Sequence, residues 1–238
     1  MKTIALLTGR GNNSLMKDKN ILDVLGHPVL YYPAHAARQC AEIDGWYCSS
    51  DDRKILDIAQ AEGYRPILRP AELALPTAQH VDCILHALEV LRAEGGLPDI
   101  LVVVLANNVT IRSQWVGDCV RTMKRDPTLT AVVPVYEDND HHPLRAKRMD
   151  ESGLLQMYET DVPGIVSTNR QDLPACYFLC HNFWVLRVET LLSGRPGQQP
   201  WSFMGGRIRP YPIDSSIDIH HKVDLLVAKD WIEHNYID

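Results

Sequence analysis

Residues Ile100 to Leu105, ILVVVL, form an almost uninterrupted apolar run. A strand with no polar alternation is buried on both faces, and such strands sit inside parallel sheets covered by helices on either side. A chain built around that strand must supply crossover helices and further strands, and the order of segments does so. Thr3 to Leu7 is another short apolar run, followed by a turn over Asn20 to Pro28 and a helix over Val29 to Cys40. Asp44 to Ser49 reads as a strand, Arg53 to Glu62 as a helix with Ile55, Leu56, Ile58 and Ala59 in one stripe, and Tyr64 to Leu68 as a third strand. That order is βαβαβ, which means parallel strands with helices laid across them.

A helix over Thr77 to Arg92 leads into the ILVVVL strand. After it come a helix over Ser113 to Lys124, strands over Thr130 to Val135, Cys176 to Arg187 and Arg207 to Ile213, and a C-terminal helix ending near Asn235. Glu137 to Leu173 breaks the pattern, being polar and rich in charge and turn residues. A segment of that length between core strands is expected to be functional or an oligomerisation arm. No repeat or internal boundary divides the 238 residues, so one domain over 1–238 is expected, with 137–173 as its arm.

The first strand runs straight into Gly9, Arg10, Gly11, Asn12 and Asn13, with Lys17, Lys19 and Asn20 close behind. Small residues there let backbone N–H groups approach phosphate oxygens, and the cations can neutralise them. The same run also reads as a tight strand-to-helix turn with solvated lysines. Its spacing fits neither G-x-x-x-x-G-K-[ST] nor G-x-G-x-x-G, which disfavours a P-loop ATPase and an ordinary dinucleotide oxidoreductase. Ligands of open α/β sheets bind outside the carboxyl ends of the strands, so this loop should face the crevice reached by Asn107 and Asn108 after ILVVVL.

A net charge of -6 argues against a nucleic-acid binder and favours small anionic ligands in a local basic pocket. No run approaches the roughly 20 apolar residues of a membrane span, and the first residues lack the pattern of a signal peptide, so a cytoplasmic protein is expected. The six cysteines show no C-x-x-C pair and are expected to be buried free thiols.

No nucleophile stands out: G-x-S-x-G is absent, which leaves positioning and charge stabilisation as the chemistry. Arg10, Lys19 and Arg69 would bind phosphates. Splitting a nucleoside triphosphate calls for magnesium, and Asp218 and Asp224 are the candidate carboxylates, with helix capping and solvent exposure as the alternative roles. His220 and His221 suit softer metals. Asp138, Asp140, His141 and His142 read as a turn or as a second metal site. Asp51 and Asp52 read as a helix cap.

Several motifs then occur in order along almost the whole chain: Arg10, Asn12, Lys19 and Asn20; Ser49 and Asp51; RPAELA from Arg69; Thr77; HALE from His86; HHPL from His141; Arg170, Gln171, Leu173 and Pro174; and SIDI from Ser216. Together they resemble the CMP-sialic acid synthetases, or acylneuraminate cytidylyltransferases, relatives of the CMP-Kdo synthetases. The resemblance implies a single-domain Rossmann-like, GT-A-like three-layer α/β nucleotidyltransferase that works as a homodimer. It implies CTP and an acidic 3-deoxy-2-ulosonic sugar as substrates, Mg2+ as cofactor, and a CMP-sugar and pyrophosphate as products. It places Arg10, Gly11, Asn12, Asn13, Lys19, Asn20, Arg69 and Thr77 at the nucleotide, with Arg10, Lys19 and Asp218 in the catalytic role. Asp218, His220 and Asp224 fall at the metal. Asn107, Asn108, Arg145, Arg170, Gln171, His181 and Asn182 fall at the sugar, with Arg145 and Arg170 delivered by the arm of a second protomer to a carboxylate that suits two arginine forks.

The chain departs from the family pattern in places. Ser14 stands where the family loop carries lysine, Ala106 to Arg112 replaces Q-P-T-S-P-L-R, His220 takes the second position of D-x-D, and Cys180 and His181 replace N-G. Nucleotide loop and frame persist while the sugar end is rewritten. The departures leave room for another nucleotide, a sugar phosphate or phosphonate, or a nucleotide-binding relative without turnover.

Overall fold

In a computed structural model that describes residues 1–11, 16–162 and 164–236, the sheet is organised around β1 (Thr3–Thr8), every residue of which is buried. β2 (Gly45–Ser50) and β4 (Ile100–Leu105) lie parallel to it on either side, with Ala5 opposite both Trp46 and Val102. β3 (Arg65–Leu68) extends the sheet beyond β2. Beyond β4 comes β7 (Phe183–Arg187), antiparallel, then β5 (Ala131–Glu137), and β8 (Ile208–Pro212) runs parallel to β5. β6 (Tyr177–Leu179) pairs with the far half of β5. All strands but β6 and β7 run one way, so the sheet is mostly parallel, as expected for an α/β domain of this kind.

Side chains alternate across the central strands, and this builds a core on each face. Ala5, Leu7, Val102 and Val104 pack beneath α1 (Tyr31–Arg38), α2 (Arg53–Ala61), α4 (Ser113–Arg125) and α6 (Lys222–Asn235). Ile4, Leu6, Leu101 and Val103 pack beneath α3 (His80–Gly95) and α5 (Val188–Leu192). All six cysteines are free, and five of them are buried.

The expected single strand over Cys176 to Arg187 is in fact two. β7 has a partner on both edges, while β6 has only β5 among the described residues, and the chain bends between them at Cys180 to Asn182. The bend is pinned: Cys180 N–H donates to the Pro134 carbonyl at 2.9 Å, and Leu105 N–H donates to the Asn182 carbonyl at 3.0 Å. α3 begins at His80 rather than Thr77, because Gln79 is its cap and its backbone N–H donates to Asp82 Oδ2 at 3.2 Å.

The arm carries a small hairpin, Lys147–Met149 against Leu155–Met157, turned by Asp150, whose Oδ1 accepts from the backbone N–H groups of Ser152 and Leu154. Met149, Leu155 and Ile165 are 73%, 71% and 101% exposed, so these apolar residues of the arm take no part in this chain's core.

Asp52 caps α2, its Oδ1 accepting from Lys54 N–H at 2.9 Å. Asp52→Ala is expected to lower stability by about 1 kcal/mol in urea unfolding, the usual value of such a cap.

Candidate active site

The ends of β1, β2 and β4 meet at one edge of the sheet, and the turn after β1 is packed too tightly for larger residues. A Cβ on Gly9 would come within 3.1 Å of Ala106 Cβ, and one on Gly11 within 2.5 Å of Asp52 Cβ. Gly11 N–H donates to Asp51 Oδ1 at 3.1 Å. The expected roles are therefore divided: Asp52 caps the helix, Asp51 holds the turn, and the Gly11 N–H that was a candidate for phosphate is occupied by a carboxylate. Asn12 and Asn13 lie outside the described residues, as does Ser14.

Lys19 and Asn20 stand in a short 3-10 turn and are both buried. Lys19 Nζ donates to the Ile219 carbonyl at 3.0 Å, tying the first loop to the last one across 200 positions. Burial pulls the Lys19 pKa down, Asp218 pushes it back up, Arg10 lowers it and Asp224 raises it, with a net shift downward. The four charges therefore share one electrostatic neighbourhood. Asn20 Nδ2 donates to the Arg10 carbonyl at 3.0 Å, while its buried Oδ1 has no partner among the described residues. Arg10 Nη1 donates to the Leu75 carbonyl at 3.2 Å, and Thr77 is exposed two residues further on.

Arg69 is only 6% exposed. Its Nη2 donates to the Ser49 carbonyl at 2.9 Å and its Nε to Ser49 Oγ at 3.3 Å. No carboxylate among the described residues forms an ion pair with it. A buried guanidinium without a counter-charge is costly on its own and suited to an anionic or carbonyl-bearing ligand.

At the other wall, Asn108 and Asp218 form an isolated antiparallel bridge, and Asn107 Nδ2 donates to Asp218 Oδ1. His220 Nε2 lies 3.0 Å from Asp218 Oδ2. Asp224 is not poised as a ligand: its Oδ2 accepts from the His220 and His221 backbone N–H groups at 2.7 and 2.6 Å, the capping arrangement at the start of α6. Burial raises its pKa, and those two N–H groups and the neighbouring imidazoles outweigh it to give a net lowering. No group of three or more His, Cys, Asp or Glu among the described residues is placed to hold a metal.

Two expected sugar contacts have other duties. Asn108 is fully buried, its Oδ1 accepting from Thr110 N–H and its Nδ2 donating to Ser216 Oγ. Asn182, also fully buried, donates to the Thr110 carbonyl and accepts from Phe183 N–H. Both amides brace the wall from behind. Arg145 and Arg170 flank Asp140 on the arm at 3.3 and 2.6 Å, and Gln171 lies with Arg170 in a hollow lined by Glu137 and Asp138. Among the described residues of this chain the arm arginines contact arm residues, not the Asp218 wall. Asp138 holds a turn, its Oδ1 accepting from the Asp140 and His141 backbone N–H groups.

A cleft of about 610 Å³ opens between α3 and the segment after α5, lined by His80, His181, Trp184, Arg195, Trp201 and Phe203 among others. His181 packs edge-on to Trp184 and Trp201, with ring centroids 5.6 and 5.5 Å away. Burial lowers its pKa, opposed by Asp218 and assisted by His220. His80 Nε2 is 3.0 Å from Thr8 Oγ1, and burial, together with Arg69 and His181, pushes its pKa down to about 4. Apart from His181, sequence reasoning missed these residues. They come from segments far apart in the chain, and no local spacing joins them. Another cavity, of about 490 Å³ between His35, Gln39, Arg112 and Tyr236, contains none of the candidate residues.

Residues 4–88, which supply Arg10, Lys19 and Arg69, match the protein-family profile described as Cytidylyltransferase. The chain is similar to the CMP-sugar cytidylyltransferases. A pseudaminic acid cytidylyltransferase of Campylobacter jejuni is 29% identical over 100 residues, which cover 42% of this chain and 43% of that protein. An N-acylneuraminate cytidylyltransferase of Escherichia coli is 32% identical over 89 residues, 37% of this chain and 21% of that protein. The matched part thus spans less than half the length of these curated relatives. A solved CMP:2-keto-3-deoxy-manno-octonic acid synthetase, in complex with CTP, shares the fold over 98% of this chain and 99% of its own, with a TM-score of 0.71 at 16% identity. No helix of the cytidylyltransferase-like chain is long and apolar enough to cross a membrane among the described residues.

His80 makes the fold acid-sensitive in a defined window. Its folded pKa is below the ordinary value of 6.5, so as the pH falls from about 6.5 toward about 4 the unfolded chain binds a proton that the folded chain refuses. Urea unfolding of His80→Gln at pH 7 and pH 4.5 is expected to show a smaller loss of stability on acidification than the parent chain.

Proposed function

We propose that the protein transfers CMP from CTP to an acidic 3-deoxy-2-ulosonic sugar, with the sialic acid-like nonulosonic acids as first candidates. The observation that carries this reading is that the turn after β1 has the buried Lys19, which shares one electrostatic neighbourhood with Arg10 and Asp218, and the buried Arg69, whose partner Ser49 also accepts from Gly9 N–H. A polyanion entering there supplies the counter-charge that Arg69 lacks among the described residues and meets the ammonium of Lys19, and positioning of this kind is the main catalytic resource in phosphoryl transfer. The anomeric hydroxyl oxygen of the sugar forms a bond to the α-phosphorus of CTP, the bond from that phosphorus to the bridging oxygen breaks, pyrophosphate leaves, and the hydroxyl proton is released.

Arg10 and Lys19 bind the triphosphate and stabilise charge on the leaving pyrophosphate. Arg69, held flat by Ser49, orients the nucleotide. Asp218 is the carboxylate suited to Mg2+, which takes one or two carboxylates and fills its shell from phosphates and water. His220 orients Asp218, and Asp224 fixes the backbone that carries both. The metal would offset phosphate charge when bound. The exposed apolar residues of the arm support a homodimer in which Arg145, Arg170 and Gln171 approach the sugar carboxylate of the other copy.

Pyrophosphate release from CTP, followed with pseudaminic acid, N-acetylneuraminic acid and 2-keto-3-deoxy-manno-octonic acid in the presence of Mg2+, tests the reading. Asp218→Ala is expected to abolish metal-dependent turnover, and Lys19→Met to lower kcat/KM for CTP by about 100-fold, the usual scale for one lost charge-stabilising donor. Full activity in Asp218→Ala would refute the assignment.

A further inference from the structure

The segment that carries Asp218 is laced to the turn after β4. Ile219 N–H donates to the Asn107 carbonyl at 3.0 Å, Ile217 N–H donates to Thr110 Oγ1 at 2.9 Å, and Asn108 Nδ2 donates to Ser216 Oγ at 3.2 Å. Together with the bridge between Asn108 and Asp218, these contacts fix the backbone of both residues. Asn107, half-buried on the same turn, adds its side chain: Nδ2 donates to Asp218 Oδ1. The other carboxylate oxygen, Oδ2, lies 3.0 Å from His220 Nε2, and the side chain of His220 is 45% exposed. The carboxylate thus has a fixed, neutral neighbour on one oxygen and a more exposed imidazole on the other. Among the described residues no lysine or arginine forms an ion pair with it. A neutral donor holds a carboxylate in one direction without cancelling its charge, which a lysine or arginine in the same place would do.

Building on the nucleotidyltransferase reading, we propose that Asn107 is a positioning residue that acts through Asp218: it holds Oδ1, so that the carboxylate keeps its charge and leaves Oδ2, on the side of His220, for a divalent cation. The family resemblance put Asn107 at the sugar, whereas its hydrogen bond is to the candidate metal carboxylate. Carboxylates that bind metal ions are themselves held by hydrogen bonds from an outer layer of residues, and losing such a partner loosens the ion. Asn107 touches none of the reacting atoms in this role, and its effect is read first in cation affinity.

Two variants test this with Mn2+ as the probe, its free concentration followed by electron paramagnetic resonance with and without CTP. Asn107→Ala is expected to weaken Mn2+ binding by about 10-fold, the lower end of the scale for a lost outer partner of a metal ligand. Asn107→Asp, nearly the same shape, is expected to tighten it by about 3-fold or more, because a second carboxylate then stands beside Asp218 and ligand charge raises affinity for such cations. Should the alanine variant fail to fold, the direction of the change in Asn107→Asp still decides. A merely structural asparagine would give weaker Mn2+ binding in both variants, and that result overturns the proposal. So does unaltered Mn2+ affinity in Asn107→Ala accompanied by a raised KM for the sugar acid, which would return the residue to the sugar, and so does a parent chain that binds no Mn2+ with or without CTP. If the expected Mn2+ pattern appears while CTP neither binds nor releases pyrophosphate, the positioning role stands and the nucleotidyltransferase reading falls. Pyrophosphate release with Mn2+ affinity unaltered in both variants would instead overturn the positioning role and leave the nucleotidyltransferase reading standing.

Discussion

β1 depends on neighbours along both of its edges. Six consecutive buried residues, hydrogen-bonded to β2 on one side and β4 on the other, leave no edge free and no face wet. Shifting the register by one residue would exchange Ile4 and Leu6 with Ala5 and Leu7 between two cores of different shape, so the strand has one workable position. That position determines where Thr8, Gly9 and Arg10 emerge. The site is therefore anchored by a fully buried strand paired on both edges, although most of the residues that line it come from loops.

The charges at this edge are arranged against their own solvation. Lys19 is buried and its pKa is lowered, yet the Ile219 carbonyl and the Asp218 and Asp224 carboxylates favour the ammonium. Arg69 is buried with only Ser49 to receive its hydrogen bonds among the described residues. The two cations differ in kind: the first belongs to a mixed-charge cluster that links the N-terminal and C-terminal loops, while the second lacks an acidic partner among the described residues. A ligand bearing both negative charge and carbonyl oxygens answers both needs, which is the physical basis for reading this edge as a nucleotide site.

Much of the frame was legible in the sequence. ILVVVL had the length and composition of a doubly covered strand, and the observed β4 has the same bounds; Asp52 caps α2 as the polar cluster before it implied. Other readings met partners that apolar periodicity does not reveal. The break at Cys180 to Asn182 depends on Pro134 and Leu105, each more than 40 positions away. Asp224 offered a carboxylate to a metal in the sequence, but the helix start places two backbone N–H groups on it. Asn182 is held by Thr110, a residue 72 positions earlier.

By itself the sequence determined the α/β class, the order of strands and helices as far as β5, the polar arm and the cationic loop after the first strand, because apolar run length, periodicity and turn chemistry are local properties of the chain. Only the tertiary structure decided that Lys19 reaches Ile219, that His80 meets Thr8 at the end of β1, and that aromatic and imidazole groups wall one cleft. Those facts depend on desolvation and through-space contact between groups up to 200 positions apart, and local spacing carries no record of either.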